Sequence, residues 1–413
     1  MTDLAEAKFD IKGSRFVFNW PEYELQAQVS RIHANHEKTT CQLLFTTTNK
    51  DSNPHLLQTN FNLTSKRSRS ELAKEMVPTY KPVSIDWKKL LEYLSVKALR
   101  EFERGEPVIE VSSFDEVGKI EYLLDPVIPK DKPTVLFGDP GSGKSQIVSI
   151  FAVIMAFPWY DNPMRLIAPP KPCRPLFLDY EADPDDTRRF LKKLDEGMGI
   201  GAISLFYRRC SLPIVDDLES IMSHIEEVKA DCLIIDSMSL ACGGDLNRMD
   251  VATAYFRALR QLHMTTISLA HTSKDRENQN KTILGSVLFE AGARSVWEVR
   301  GNEDDSALNI GLFHRKANLS AKSRPLGYRI NYSPEAITVE WYDPKSVPEF
   351  VSRMNTNTQI TQMLKAGKLS TIELHRLIGG NRANIDVAVG RLKGKGLIAG
   401  DSKAWYLPAR NGI

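Results

Sequence analysis

One octapeptide combines the residue types that a protein needs to hold a polyphosphate. It fits the pattern G-x-x-x-x-G-K-[S/T], a short apolar run precedes it, and an apolar helical segment, Gln146–Ala156, follows it. Glycines let the backbone curl so that successive N–H groups form an anion nest, and the helix N-terminus adds partial positive charge. The pattern predicts an ATP-binding loop made of Gly138, Asp139, Pro140, Gly141, Ser142, Gly143, Lys144, Ser145 and Gln146.

A second element completes a site for Mg²⁺. In a loop of this kind Lys144 reaches the β- and γ-phosphates, and the hydroxyl oxygen of Ser145 is a ligand for Mg²⁺. Downstream, Leu233–Asp236 is an apolar run that ends in an acid. A carboxylate at the end of such a strand can hold Mg²⁺ through water, so we expect Ser145 and Asp236 to form the metal site, with ATP and Mg²⁺ as cofactors.

The elements that position these residues form an α/β fold. Apolar runs alternate with helical segments, and strands that are apolar on both faces indicate a parallel sheet covered by helices on each side. The predicted strands are Thr134–Phe137, Pro175–Leu178, Ile203–Tyr207, Cys232–Ile235, Thr265–Leu269, Ala293–Val299 and Ala307–Phe313. We place this core at residues 106–345, after a small α+β domain at residues 1–105 and before a C-terminal module at residues 346–413.

The order of motifs in the core resembles the RecA-like ATPases of the plasmid RepA hexameric helicase type, which are similar to KaiC and to the replicative helicase DnaB. The resemblance covers about residues 125–335. It is carried by the glycine-rich loop followed by Asp179-Tyr-Glu181, Ile234-Ile-Asp-Ser237, Ala270-His-Thr-Ser-Lys274, Leu284-Gly-Ser286 and Arg315-Lys-Ala-Asn318. It implies a six-membered ring, a homo-oligomer with ATP at the subunit interfaces.

The resemblance also implies roles for residues at the strand ends. Glu181 matches the acid that activates the attacking water, with Asp179 as the competing choice, because Asp236 is followed by serine rather than glutamate. His271 matches a sensor of the γ-phosphate, and the polar loop Asp275–Thr282 is either a DNA-contacting loop or a plain connection. Arg315 or Lys316 would reach the γ-phosphate of the neighbouring subunit. The pair departs from the Lys-x-Arg of DnaB-type rings, so either residue can be the finger.

The C-terminal module combines helical patterns with positive charge. From residue 350 to 413 there are 10 Lys and Arg against 3 Asp and Glu, a formal charge of +7 in a chain whose total is +2. Ser370-Thr-Ile-Glu373 has the spacing of a capping box, and three helices followed by a hairpin predict a winged helix. Its third helix would enter the DNA major groove. The candidate nucleic-acid contacts are Arg382, Asn384, Arg391 and Lys393.

Composition excludes several other classes of protein. Hydrophobic residues make up 42% and charged residues 26%, as in ordinary soluble domains. No apolar run reaches the roughly 18 residues of a membrane span, and the first residues do not have the layout of a signal peptide, so we expect a cytoplasmic protein. The 5 cysteines are scattered without a C-x-x-C pair, which argues against a disulfide framework or a zinc site.

Three functions fit these patterns. The first is an ATP-driven motor or remodeller on single- or double-stranded DNA, helicase-like and ring-forming. The second is a DNA-bound regulatory switch that uses ATP to control assembly without unwinding. The third is a KaiC-like signalling ATPase that has no nucleic-acid partner.

Overall fold

The structure is a computed structural model of the chain, which forms two compact units. It describes residues 6–12, 15–34, 37–81, 84–105, 108–112, 118–157, 159–201, 203–273, 281–304, 306–351, 354–379 and 381–408, without the side chains of 348 and 349. The first unit comprises Met1–Lys119 and Asp217–Glu227, and the second comprises Ile120–Asp216 and Val228–Ile413. The first unit therefore extends past the boundary predicted at residue 105.

The first unit is an antiparallel sheet with two helices that follow it in the chain and most of a third helix, at residues 217–227. Its strands pair in chain order and are β1 (Lys8–Lys12), β2 (Arg15–Trp20), β3 (Leu25–Ala34), β4 (Thr39–Thr47) and β5 (His55–Asn62). Every second residue of β4 is buried, as expected for a strand with one face on a core. Helix α1 (Lys66–Thr79) begins after Ser65, which caps it by accepting from the N–H of Ser68. Helix α2 (Trp87–Arg104) completes the core.

The second unit contains a nine-stranded sheet, a small two-stranded sheet beside it, and covering helices. Its first strands are β6 (Tyr122–Leu124), β7 (Ile128–Pro129), β8 (Pro133–Gly138), β9 (Pro175–Asp179), β10 (Phe206–Arg209), β11 (Cys232–Asp236), β12 (Thr265–His271), β13 (Ser295–Asp304), β14 (Ala307–Ala317), β15 (Leu326–Tyr332) and β16 (Ile337–Trp341). The helices of the chain from here to residue 351 are α3 (Lys144–Ala156), α4 (Pro184–Met198), α5 (Ile214–Val228), α6 (Met238–Cys242), α7 (Met249–Gln261), α8 (Leu288–Gly292) and α9 (Pro348–Val351). All of them belong to the second unit except α5, whose residues Asp217–Glu227 belong to the first.

The strand order of the large sheet is β10-β9-β11-β12-β8-β13-β14-β15-β16. The strands from β10 to β13 are parallel, which confirms the α/β class, and β14, β15 and β16 are antiparallel. The prediction of β14 as one more strand of a parallel sheet was incomplete: too few residues join it to β13 for a crossover, so the chain must turn back. Strand β10 lies a few residues after its predicted position, and β15 and β16 were not predicted.

Register aligns the carboxyl ends of the parallel strands. Asp236 of β11 pairs with Asp179 of β9, and His271 of β12 pairs with Gly138 of β8. Helix α3 packs behind them and is buried on nearly all sides from Ile147 to Met155, which explains why its sequence is apolar without a polar face. The carboxyl edge of the sheet thus brings together strand ends that are far apart in the chain.

The last part of the second unit has its own small core. It contains α10 (Thr356–Ala366), α11 (Thr371–Ile378), α12 (Arg382–Gly394), β17 (Ala399–Asp401) and β18 (Ala404–Tyr406), packed around residues that include Ile360, Leu374 and Trp405. The capping box of α11 is present: the Ser370 hydroxyl accepts from the N–H of Glu373 at 3.2 Å, and the Glu373 carboxylate accepts from the N–H of Ser370 at 2.7 Å. Across the described ranges, no helix has the length and apolar character that a bilayer crossing requires.

Candidate nucleotide-binding and ATPase site

The phosphate-binding loop joins the end of β8 to the start of α3 and depends on glycine at two close approaches. A Cβ on Gly138 would lie 2.3 Å from the carbonyl oxygen of Val299. Gly143 has a φ of +83°, and a Cβ there would lie 2.6 Å from Cδ1 of Ile310. Only glycine fits both positions without displacing β13 or β14, so the loop conformation is fixed by packing as well as by backbone freedom.

Lys144 lies under the loop with its charge directed at backbone oxygens. Its Nζ donates to the carbonyl oxygens of Gly138 at 3.0 Å and Asp139 at 2.8 Å. Burial lowers the pKa of Lys144, while the nearby carboxylates of Asp236, Glu181 and Asp139 oppose that shift. A buried ammonium group with acids on one side and a curled loop on the other is the donor that a triphosphate requires.

Ser145 and Asp236 meet as predicted for a metal site. The Ser145 hydroxyl donates to Oδ2 of Asp236 at 2.5 Å. Burial raises the pKa of Asp236 to about 6, the charges of Glu181 and Asp179 add to that rise, and the Ser145 hydrogen bond opposes it. Within the described residues, no group of three His, Cys, Asp or Glu side chains forms a protein-only metal cage. One hydroxyl and one carboxylate fit Mg²⁺, which takes few protein ligands and keeps water and phosphate oxygens.

Glu181 lies beside His271 and Ser237 in the same cavity. Its Oε1 accepts from the Ser237 hydroxyl, and Nε2 of His271 is 3.5 Å from the same oxygen. The competing acid, Asp179, has a different role, because its Oδ1 accepts from the N–H groups of Glu181 and Ala182, each at 2.9 Å, and its side chain is buried. Asp179 therefore shapes the turn that presents Glu181.

These residues line one cavity of about 700 Å³ at the carboxyl edge of the sheet. The predicted residues that line it are Pro140, Gly141, Gly143, Lys144, Ser145, Gln146, Glu181, Asp236 and His271. Residues that were not predicted complete its far wall from the ends of β13, β14 and β15, and they are Glu303, Ser306, Ala307, Leu308 and Tyr332. The Tyr332 hydroxyl donates to Oε1 of Gln146 at 2.6 Å, which ties that wall to α3.

Three loop residues predicted to bind the cofactor, Gly138, Asp139 and Ser142, are not among those that line the cavity. Asp139 instead connects the loop to the segment after β12. Its Oδ1 accepts from the Thr272 hydroxyl at 2.5 Å, and its Oδ2 pairs with Nζ of Lys281. Residues 275–280 of the predicted polar loop Asp275–Thr282 lie outside the described residues.

Arg315 and Lys316 lie on β14 away from the cavity of their own chain. Nε of Arg315 donates at 2.6 Å to Glu298, a buried carboxylate that also pairs with Arg300. Nζ of Lys316 donates to the carbonyl oxygens of residues 290, 291 and 293, each at 2.8 Å. The buried Glu298 was not foreseen, because an acid within an apolar run gives no indication of its partner.

The strand order, the phosphate-binding loop and the acids at the carboxyl edge define a RecA-like P-loop ATPase. Residues 105–277 match the family described as AAA domain. Among solved structures, the chain is similar to a KaiC-like protein of the hyperthermophilic archaeon Pyrococcus horikoshii OT3, with 20% sequence identity over 57% of this chain and 100% of that chain, at a TM-score of 0.36. No curated protein matches the chain.

Proposed function

We propose that the protein is an ATP-hydrolysing motor or remodeller that acts on DNA, helicase-like and ring-forming, of the plasmid RepA type. The observation that supports hydrolysis most directly is the position of Glu181, which shares a cavity with Lys144, Asp236 and His271. That arrangement supplies an acceptor for the proton of water, a cation for phosphate and an oxygen pair for a metal ion. These are the parts that phosphoryl transfer requires.

Each side chain has a task that follows from its contacts. Lys144 exchanges its two carbonyl acceptors for phosphate oxygens when ATP enters. Ionised Asp236 and the Ser145 hydroxyl would hold Mg²⁺, and the ion would supply positive charge to the phosphate oxygens. Glu181 orients the attacking water and takes its proton, and the Ser237 hydroxyl fixes the carboxylate that does so.

His271 is suited to report the state of the γ-phosphate. Its Nε2 faces Glu181, and its buried Nδ1 has no hydrogen-bond partner in the described part of the chain. The residue that follows it, Thr272, donates to Asp139 of the phosphate-binding loop. A change in the hydrogen bonds of His271 would therefore also affect Thr272 and, through it, Asp139 of the phosphate-binding loop.

In the proposed ring, Arg315 or Lys316 of β14 would contact the γ-phosphate at the site of the neighbouring subunit. Arg315 is the better candidate for a finger, because a guanidinium has five N–H donors and it uses two of its nitrogens on Glu298. Lys316 has three donors, and each of them already meets a carbonyl oxygen. Arg315 would have to exchange its contact with Glu298 for one with phosphate.

The assignment to DNA depends on the C-terminal module, which we propose is a winged helix. Arg382, Asn384, Arg391 and Lys393 are all exposed along α12. At 3.6 residues per turn Asn384 and Arg391 lie on one side of the helix and Arg382 and Lys393 on the opposite side, so Asn384 and Arg391 can enter one groove together. The same helix exposes Val387, at 53% of its surface, which instead suits a protein partner. Binding of duplex DNA with Arg391→Ala should fall, and the dependence on salt should become less steep by about one unit.

One experiment separates the three functions. ATPase activity of the full chain is measured without nucleic acid and with single- and double-stranded DNA, beside strand displacement and native mass. Stimulation with strand displacement in a six-membered assembly supports the motor. Stimulation without displacement supports the switch, and activity that no nucleic acid changes supports the signalling ATPase.

A further inference from the structure

A second cavity lies at the opposite, amino-terminal edge of the parallel strands. Its volume is about 680 Å³, within the range of small-molecule sites. Pro133 at the start of β8 and Thr266 at the start of β12 contribute to it, together with Arg294 just before β13. The end of α7 and the short helix α8 form the rest of its walls. None of the residues that form the ATPase site lines this cavity.

The charges around this cavity are mostly positive. Lys132, Arg257, Arg260 and Arg294 line it with His263, and among the described residues that line it Asp131 is the one acid. In the described ranges, Lys132, Arg257 and Arg294 have no acidic side chain within 4 Å of their charged atoms. Like charges around a concavity repel one another and attract an anion.

A buried hydroxyl in the cavity gives an independent sign of a ligand. Thr266 and Ser268 lie on the same face of β12, because side chains alternate along a strand. Ser268 is paired with the Tyr255 hydroxyl at 2.8 Å. Thr266, which is only 1% exposed, lines the cavity, and its hydroxyl has no partner in the part of the chain described here. Leaving such a group unpaired costs free energy, which a bound polar atom would recover.

The remaining walls are apolar and include an aromatic ring. Phe256 lines the cavity with Leu259, Met264 and Leu288. The Phe256 ring packs at 5.5 Å against Tyr255 and at 6.4 Å against Phe289, so its position is fixed. Cations, one unpaired hydroxyl and a fixed ring suit a ligand that has an anionic group and a flat apolar body.

We propose that this cavity binds a nucleotide, either free or as one unit of a single strand, with its phosphate on Arg257 and Arg294 and its base against Phe256. This site supplies its own positive charge, so it needs no Mg²⁺. It is independent of the ATPase site and of the proposed motor function. The two sources of nucleotide share the same chemistry and differ only in the length of the ligand.

The test uses the full chain carrying Lys144→Ala, which disables the phosphate-binding loop, in buffer with a chelator in place of Mg²⁺. AMP is titrated by calorimetry, and oligo-dT is then tested as a competitor of bound AMP. We expect AMP to bind, Arg257→Glu to weaken it by about 10-fold or more, and Thr266→Val by up to about 10-fold. Arg100→Glu, at an exposed position on α2, is the matched control and should leave the affinity unchanged.

Competition by oligo-dT would identify a single strand as a source of the ligand, and binding of AMP without competition would identify a free nucleotide. Either result supports the site. Absence of AMP binding, or an affinity that Arg257→Glu and Thr266→Val leave unchanged, would overturn it. Inorganic phosphate binding as tightly as AMP, or a poly-glutamate peptide binding where AMP does not, would also contradict a nucleotide site. Thr266→Val removes an unpaired buried hydroxyl, so the variant should fold normally.

Discussion

The two edges of the parallel sheet carry cavities of nearly equal volume and opposite chemistry. The cavity at the carboxyl edge, about 700 Å³, combines one buried lysine with the acids Asp236 and Glu181. The cavity at the amino edge, about 680 Å³, is lined by cations with a single acid. Both suit phosphate, but the first needs Mg²⁺ to offset its carboxylates and the second does not. One sheet can thus present two phosphate sites that differ in whether a metal ion is required.

Lys144→Ala tests whether the two cavities are separate. Turnover of ATP should fall by about 10³-fold or more, because the buried cation for the phosphates is lost. Binding of AMP at the amino edge should not change. Lys130→Ala, which removes an exposed lysine paired with Glu121, is the control. If Lys144→Ala loses AMP binding as well as ATP turnover, the two cavities are not independent.

Glu181→Gln and Asp179→Asn separate the acid that acts on water from the acid that shapes the turn. Glu181→Gln should keep ATP binding and slow hydrolysis by about 10²–10³-fold. Asp179→Asn should lower the melting temperature, because the acceptor of two backbone N–H groups is weakened. Single-turnover hydrolysis and thermal unfolding are measured on both variants. A normal hydrolysis rate in Glu181→Gln would show that another acid activates the water.

The pKa of Asp236 makes the carboxyl-edge cavity sensitive to pH. Burial raises that pKa to about 6, so the protonated form dominates below that pH and can no longer hold Mg²⁺. The hydrolysis rate at limiting Mg²⁺ should therefore fall by about tenfold per pH unit below about 6. A rate that is flat between pH 5 and 7 would contradict a metal site that depends on an Asp236 carboxyl with a raised pKa.

Removal of the ion pair between Asp139 and Lys281 should have the smallest effect on stability and on turnover. Both side chains are partly exposed, so Asp139→Asn should lower the free energy of unfolding by about 0.2–1 kcal/mol. A double-mutant cycle with Lys281→Met measures the coupling directly. Turnover of ATP without DNA should stay within a few fold, since Asp139 does not line the cavity. A large loss of basal turnover would place Asp139 in the ATPase site.

The carboxyl-edge site was largely predictable from the sequence, whereas the amino-edge cavity was not. Lys144 begins a helix, Asp236 and His271 end strands, and Glu181 follows the end of β9 by two residues. Parallel strands bring such ends to one edge. The residues of the amino-edge cavity come from segments between 131 and 294 and form no motif. The sequence does not show that these mostly positive residues surround one cavity, because only the fold brings them together.

The far wall of the ATPase cavity was missed for a similar reason. Strand β15 (Leu326–Tyr332) has the alternation of a half-buried strand, but nothing in its sequence marks it as part of a site. Its last residue, Tyr332, reaches the cavity only because the chain turns back after β13 and again after β14. The sequence shows that serine rather than glutamate follows Asp236. The contact of Ser237 with Glu181 follows only from the fold, which brings β9 and β11 together.

Equilibrium binding of ATP to the full chain, with and without Mg²⁺, tests the central claim most directly. We predict one Mg²⁺-dependent ATP per chain that Lys144→Ala abolishes and that Glu181→Gln retains unhydrolysed. Binding of ATP that needs no Mg²⁺ and survives Lys144→Ala, with no Mg²⁺-dependent component, would contradict the assignment of the carboxyl-edge cavity.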